Sequence, residues 1–500
     1  MIEQSECLSR HTICALATAP GGALGIIRIS GPQALEILSR IFSKNLATVD
    51  ANTVHYGRIL SPPPSQREEG DATPSLVGAG EIPVDEVLVT VFHAPHSYTG
   101  EDSAEINCHG SRYILNKVIE LLIQQGCRMA GPGEFTQRAY LNGKMDLSQA
   151  EAVADLIASN NRATHHLAMS QLRGGISTKL EQLRDHLLKL TSLLELELDF
   201  SDHEDLEFAD RTELLQLAQQ IDARIRRLVD SFQTGNAIKQ GIPVAIIGAP
   251  NVGKSTLLNA LLGEERAIVS DIQGTTRDAI EDTINLGGIT FRFIDTAGIR
   301  HTSDQIEQMG IERSLQAAQR ARIIILMTEP GVPYPDIETT DIQTVIRIEN
   351  KIDLEGYNKP VLAQKGNLYK AELSRETTAQ SAGTTLQSGS TKRNYNYQTL
   401  SISAKYGVGL NALKQQLIAS IPEVDNDDVI ITNARHYEGL CRAQENLSRV
   451  IEGIKTNMSG DLLSEDLRLV LSDLAEITGK GQITTNEVLS NIFKHFCVGK

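Results

Sequence analysis

Residues 248–255 read Gly-Ala-Pro-Asn-Val-Gly-Lys-Ser, the pattern G-x-x-x-x-G-K-[ST]. Before it comes Val244-Ala245-Ile246-Ile247, an apolar, largely β-branched run that reads as a buried strand. After it comes the apolar stretch Ser255–Leu262, which reads as a helix that Gly263 ends. A strand, a glycine-rich turn and a helix start aim a row of backbone N–H groups at one point, and such a concavity attracts phosphate. Lys254 is placed to reach the β- and γ-phosphates and Ser255 to ligate Mg²⁺, with Asn251, Val252, Gly253 and Thr256 in the same cradle. The competing reading, a glycine-rich turn with a chance lysine, fails because matching segments follow in order.

Asp295-Thr296-Ala297-Gly298 closes the alternating strand Ile289–Ile294. A carboxylate there can hold Mg²⁺ through water, and the Gly298 N–H can approach a γ-phosphate. Asn350-Lys351-Ile352-Asp353, the N-K-x-D pattern, follows the strand-like run Thr344–Ile348. The Asp353 carboxylate suits guanine, whose N1–H and 2-amino group are both donors. Adenine would leave it unpaired, and sites built on such polar pairing reject the wrong partner by roughly 10⁴ or more. Ser403-Ala404-Lys405 comes after Leu400 and Ile402, and its backbone is expected to contact the guanine oxygen. Each short motif alone is weak, and an isolated N-K-x-D is usually a solvated turn. Four in this order resemble a Ras-like guanine-nucleotide-binding domain of the translation-factor-related class, an α/β P-loop fold that hydrolyses GTP.

At 500 residues, a prior of about 150 per domain suggests about three domains. The net charge of −16 excludes a generally basic, nucleic-acid-coating surface, so any RNA contact is a local patch. Six cysteines without a C-x-x-C pair argue against zinc and against a disulfide framework; Cys7, Cys14, Cys108, Cys127 and Cys441 read as small apolar fillers. Met-Ile-Glu-Gln-Ser-Glu opens the chain without signal-peptide character. The longest apolar runs, such as Ile323–Met327, fall far short of the ~18 residues of a membrane span. The expectation is a cytoplasmic protein with no membrane contact.

Residues 1–148 mix strands (Leu24–Ile29, Val87–Phe92) with a helix at Arg112–Gln125 and a Pro-, Gly-, Ser- and Glu-rich loop at Ser61–Gly80. Residues 149–238 are helical, with Leu180, Leu183, Leu187, Leu190 and Leu194 forming a stripe that reads as bundle packing. The nucleotide domain takes 239–422 and includes a polar insertion at Glu355–Gln398. Helical patterning returns over 423–500 through Leu440, Leu447, Ile451 and Ile454, then Leu467–Ile477. The expected fold class is an α+β N-terminal domain, an all-α helical domain, and a Ras-like α/β domain inserted into it.

Further stretches narrow the family. Gly25-Ile26-Ile27-Arg28-Ile29-Ser30-Gly31 lies near the start. Ser97-Tyr98-Thr99-Gly100-Glu101-Asp102 leads to Glu105 and His109-Gly110. Pro132-Gly133-Glu134-Phe135-Thr136 leads to Leu141-Asn142-Gly143-Lys144-Met145-Asp146-Leu147, and the chain ends Phe496-Cys497-Val498-Gly499-Lys500. Together these resemble the tRNA modification GTPase MnmE family over essentially the full length. His11 stands where that family usually has aspartate, Ser111 replaces the second glycine after His109, and the two polar insertions are long.

The resemblance implies an N-terminal domain that binds 5-formyl-tetrahydrofolate or a related folate and forms a homodimer. It also implies a flavoprotein partner, MnmG, in a heterotetramer or larger assembly. With it the family modifies carbon 5 of the tRNA wobble uridine with an aminomethyl or carboxymethylaminomethyl group. Carried over by motif, Arg28, Glu105, Lys144 and Lys500 are folate contacts: cations suit the folate carboxylates, and a carboxylate suits the donor edge of the pterin. Cys497 matches the functional tail cysteine.

The family's switch motif is Gly274-Thr275-Thr276-Arg277-Asp278, where Thr276 joins Ser255 on Mg²⁺. The resemblance implies that K⁺, held by Asn251 and oxygens of Ser270, Ile272 and Thr275, replaces an arginine finger when two nucleotide domains face each other. The resemblance also implies that Glu307 orients the attacking water, while Arg277 and Arg300 remain competing charge donors. A second function stays open, a GTP-dependent switch on ribosomal RNA. The folate motifs and the tail favour the first, and no G-x-x-G loop in the C-terminal helices supports the second.

Overall fold

In the computed structural model the described residues are 11–61, 82–199, 211–264, 282–294, 316–340, 342–354, 399–421, 429–480, 489, 492–494, 496 and 499. Beyond Ser61, the expected loop at 61–80 and the insertion at 355–398 lie outside them. The chain divides into two compact units. One comprises Met1–Ala158, Ala168–Arg227 and Arg435–Lys500; the other comprises Ser159–Leu167 and Leu228–Ala434.

The first unit starts with a six-stranded sheet. Its strands are β1 (Ile13–Leu16), β2 (Leu24–Ser30), β3 (Thr53–Ser61), β4 (Ile82–Phe92), β5 (Ser103–His109) and β6 (Arg128–Met129), in the order β3-β4-β5-β2-β1-β6. All pairings are antiparallel except β1 with β6. Period-2 alternation explains the burial: Val87, Val89 and Val91 point into the core while Glu86 and Leu88 point out. The inner face is covered by α1 (Ala34–Ser39) and α2 (Arg112–Gln124), whose Leu115, Val118, Leu121 and Leu122 form one buried stripe. Cys14, Cys108 and Cys127 lie in this core.

The helical part follows. After α3 (Glu134–Leu141) come α4 (Leu147–Ala158), α5 (Arg162–Leu172), α6 (Gly175–Asp199) and α7 (Arg211–Gln240). The leucine stripe 180–194 is buried along α6, as its spacing predicts.

The second unit holds β7 (Ile242–Gly248), α8 (Lys254–Glu264), β8 (Asp282–Leu286), β9 (Ile289–Phe293), β10 (Ile323–Thr328), β11 (Thr344–Glu349), β12 (Thr399–Ser401) and α9 (Leu410–Ala419). The sheet order is β12-β11-β10-β7-β9-β8, parallel except for β8. Apolar clusters cover both faces, which is why β7 and β10 are largely apolar runs rather than alternating ones. β7 lies between β9 and β10, at the topological switch where α/β sheets bind ligands beyond their strand ends. Gly263 does not end α8. It lies inside the last turn, and the burial of Leu257, Leu258, Leu261 and Leu262 outweighs the ~1 kcal/mol glycine penalty.

The chain then returns to the first unit as α10 (Ala434–Lys455) and α11 (Gly460–Thr478), an antiparallel pair with α11 packed along α6. Arg442 reaches Asp473 at 3.1 Å and Arg449 reaches Asp466 at 3.3 Å, one register of charge pairs along the two helices. In the first turn of α10, Arg435 donates two hydrogen bonds to the buried Glu151 carboxylate of α4. The His436 Nε2 lies 2.6 Å from the same carboxylate, in contact but off the line of a good hydrogen bond. Leu489, Phe493 and Phe496 pack with Leu147 and Ala150.

Candidate functional site

The phosphate-loop sequence turns where the chain leaves β7 and enters α8. Two residues carry left-handed backbone: Asn251 at φ 62° and Gly253 at φ 102°. A Cβ on Gly253 would come within 2.4 Å of the Asn350 Nδ2, so glycine is required there by both dihedral and space. The Lys254 ammonium donates to the carbonyls of Gly248 (2.7 Å) and Ala249 (2.9 Å), across the mouth of the loop. Burial pushes its pKa below the ordinary lysine value. Ser255 and Thr256 stand in the first turn of α8, where free N–H groups and the helix dipole favour an anion.

The N-K-x-D segment leaves the end of β11 and is tied to its surroundings through Asn350, which is 3% exposed. Its Nδ2 donates to the Val252 carbonyl at 2.9 Å, and its Oδ1 accepts from the Ala404 N–H at 2.9 Å. One amide thus joins the phosphate loop to the Ser403-Ala404-Lys405 turn. Asp353 is oriented by the Ser403 hydroxyl, which donates to Oδ1 at 2.7 Å. Ser403 and Val408 close that turn with reciprocal backbone bonds. Lys351, at φ 65°, extends to Glu329, and Lys405 extends over the Tyr406 ring. The second sequence element of the site is therefore assembled from three separated chain segments.

Ser270, Ile272, Thr275, Thr276 and Arg277, then Asp295, Thr296, Ala297, Gly298, Arg300 and Glu307, lie outside the described residues, as do Cys497 and Lys500. The Mg²⁺ and K⁺ sets are thus represented by Ser255 and Asn251 alone. Among the described residues no His/Cys/Asp/Glu cluster can hold a metal, and no helix is long and apolar enough to cross a membrane.

In the N-terminal sheet, Arg28 on β2 and Glu105 on β5 are register partners. Arg28 donates to the Glu105 Oε1 from Nε (3.0 Å) and Nη2 (2.7 Å), and from Nη1 to the Gly499 carbonyl (3.2 Å). Its guanidinium also stands 5.4 Å from the Tyr98 ring centroid and 5.6 Å from that of Phe135. Tyr98 is fixed in turn through its hydroxyl to Thr136 at 2.8 Å. Below lies a buried network in which Arg138 meets Glu101 and Glu134, and Ser30 donates to Glu101. Lys144 donates to the Pro95 carbonyl at 2.9 Å and packs on Gly100 in the same loop that carries Tyr98. Sequence reasoning missed Tyr98, Phe135, Glu329 and Tyr406. Tyr406 follows Ser-Ala-Lys directly, and Tyr98 and Phe135 lie inside quoted motifs, but Glu329 carries no local signal.

The family model described as GTP-binding protein TrmE N-terminus matches residues 12–144, and that described as MnmE helical domain matches residues 147–497. A curated protein of Phocaeicola vulgatus named tRNA modification GTPase MnmE is 53% identical over 520 residues, covering 99% of this chain and 100% of that protein. The protein of the same name from Bacteroides fragilis is 51% identical over 500 residues, with 99% and 100% covered. That from Flavobacterium johnsoniae is 46% identical over 500 residues, again with 99% and 100% covered. Matched along both halves by family models and along its whole length by these relatives, the chain belongs to the tRNA modification GTPase MnmE family.

Proposed function

We propose that this chain is a cytoplasmic GTP hydrolase that, as a homodimer through its N-terminal domain and with an MnmG flavoprotein, modifies carbon 5 of the tRNA wobble uridine. The product carries an aminomethyl or carboxymethylaminomethyl group, drawing on a tetrahydrofolate one-carbon unit. The observation that carries the GTPase reading is the Asn350 bridge between Val252 and Ala404, with Asp353 held by Ser403. It makes one rigid site of a phosphate cradle and a carboxylate whose hydrogen-bond pattern matches guanine.

In this reading the loop N–H groups and Lys254 bind the β- and γ-phosphates, and the Lys254 side chain exchanges its two loop carbonyls for phosphate oxygens. Ser255 takes Mg²⁺ together with Thr276, and Asp295 supports it through water. These groups chiefly position the phosphates and offset the charge of the transition state, which is what phosphoryl transfer needs. Asn251, with Ser270, Ile272 and Thr275, holds K⁺, which supplies positive charge beside the phosphates. Glu307 orients the attacking water.

The donor set of the N-terminal site fits a folate through Glu105. Its Oε1 takes both Arg28 bonds, and among the described residues Oε2 has no hydrogen-bond partner. That oxygen is the acceptor for the pterin donor edge. Arg28 aligns it, while Lys144 and Lys500 serve the folate carboxylates. Cys497 is the functional tail cysteine by its match to the family motif.

The decisive experiment measures wobble-uridine modification in tRNA from cells lacking this gene, complemented with wild type or Asp353→Asn. Restoration by wild type supports the reading; normal modification in the deletion strain overturns it.

A further inference from the structure

Two lysines lie beside the Asp353–Ser403 pair in sequence, and each has its ammonium held by a neighbour outside the nucleotide motifs. Lys351, in left-handed backbone, sends Nζ to within 2.6 Å of the Glu329 Oε1 just beyond β10. Lys405 places Nζ 5.3 Å from the centroid of the Tyr406 ring, which is 64% exposed. Tyr406 is itself anchored, because its N–H donates to the Ser403 carbonyl in the turn closed by Val408. Holding an ammonium at its tip fixes the course of the four-carbon stem behind it. Ser403, the residue that orients Asp353, lies two positions before Lys405, and Asp353 lies two positions after Lys351.

We propose that Glu329 and Tyr406 are positioning residues for the guanine nucleotide, holding the stems of Lys351 and Lys405 in the places from which they cover the base. The proposal rests on the GTPase reading and adds to it the groups that set how long the nucleotide stays. Apolar stems cover purine rings without reading their edges. Glu329 and Tyr406 therefore govern residence time, and base choice stays with Asp353.

The test is stopped-flow dissociation of fluorescent GDP and fluorescent IDP from the full-length chain. IDP lacks the 2-amino group that Asp353 reads but presents the same ring system. An exposed cation–π contact or ion pair corresponds to a roughly two- to fivefold change. Tyr406→Leu and Glu329→Gln are each expected to speed release of both nucleotides by about that factor and to leave the GDP-to-IDP ratio unchanged, and Tyr406→Phe to restore the wild-type rate. In a Lys405→Met background Tyr406→Leu adds nothing further, and Glu329→Gln adds nothing in a Lys351→Met background, because each acts through its lysine. Wild-type release rates in both single variants overturn the proposal, and so does full additivity with the lysine replacements. A changed GDP-to-IDP ratio also overturns it, since that shows a disturbed Asp353. If the wild type retains no guanine nucleotide at all, the GTPase reading falls and takes the proposal with it.

Discussion

Arg28 and Glu105 are directly opposite one another on neighbouring antiparallel strands, and two of the three guanidinium bonds end on a single carboxylate oxygen. Their side chains are 19% and 30% exposed, so the pair is largely shielded from water. Its geometry is that of an oriented acceptor. With Tyr98 and Phe135 flanking the guanidinium, the arginine has few ways to move, and Glu105 is held with Oε2 available.

Glu105→Gln is therefore expected to weaken binding of 5-formyl-tetrahydrofolate at least tenfold, because the amide offers only one acceptor and loses the charge that strengthens the bond. Arg28→Ala is expected to weaken it by a similar factor while changing the melting temperature by only a few degrees. Calorimetric titration of the full-length protein checks both. Undiminished binding by Glu105→Gln removes the carboxylate from the folate site.

Gly253→Ala is expected to abolish measurable GTP binding. The new Cβ meets the Asn350 amide nitrogen at 2.4 Å, and the φ of 102° is hostile to any L side chain. Strain of this kind costs about 1–3 kcal/mol, which the loop can relieve only by releasing Asn350 and opening the Val252–Asn350–Ala404 bridge. Fluorescent GTP titration and a thermal melt report the two effects together.

Asp353→Asn is expected to shift preference from guanine to xanthine nucleotides, since the amide can donate to the xanthine 2-oxo group where the carboxylate could not. The wild type should bind GTP and GDP and not ATP. Competition titrations with XTP, GTP and ATP decide it, and comparable ATP affinity in the wild type contradicts the assignment of Asp353.

GTP hydrolysis is expected to run much faster in KCl than in NaCl at matched ionic strength, and to rise with protein concentration. Asn251 already adopts the left-handed conformation at φ 62° inside the phosphate loop, where its amide oxygen can face a cation beside the phosphates. A cation in that place would do the work that an arginine finger performs elsewhere, at about 10³–10⁵ in rate. Asn251→Ala should slow turnover more than it weakens GTP binding. Equal rates in the two salts shift the assignment to Arg277 or Arg300.

Stability should carry an acid limb set by Glu151. Burial raises its carboxyl pKa, but contact with His436 and the two bonds from Arg435 outweigh that and hold it at about 2, below the ordinary 4.5. A depressed carboxyl contributes its stability above the unfolded pKa and loses it as pH falls through the folded one. The loss therefore falls between pH 4.5 and about 2. Glu151→Gln should remove that limb and destabilise the protein at pH 7 by about 3–5 kcal/mol, because Arg435 loses the buried carboxylate that takes two of its bonds. Denaturant melts of both proteins across this range test it.

The parts legible in the sequence are those written in local periodicity. The phosphate loop reads at once because strand, glycines, lysine and helix start are contiguous. The leucine stripe of α6 reads because helical spacing puts those positions on one face whatever packs against them. Asp353 is legible as a base-reading group from four contiguous residues, yet the Ser403 hydroxyl that orients it lies 50 positions away. Asn350 carries no mark of its bridge to Val252 and Ala404, 98 and 54 positions distant. Arg28 by itself reads as a surface charge and as a folate contact only through the family motif, while its guanidinium is held by Glu105, 77 residues on, and by the Gly499 carbonyl, 471 residues on. These pairings follow from strand order and register, in which β5 lies beside β2 and β11 beside β10. Short-range sterics and hydrophobic spacing act along the chain and are written in it. Hydrogen bonds between distant segments exist only once burial has packed the sheets, so only the tertiary structure determined which motif residues hold their neighbours in place.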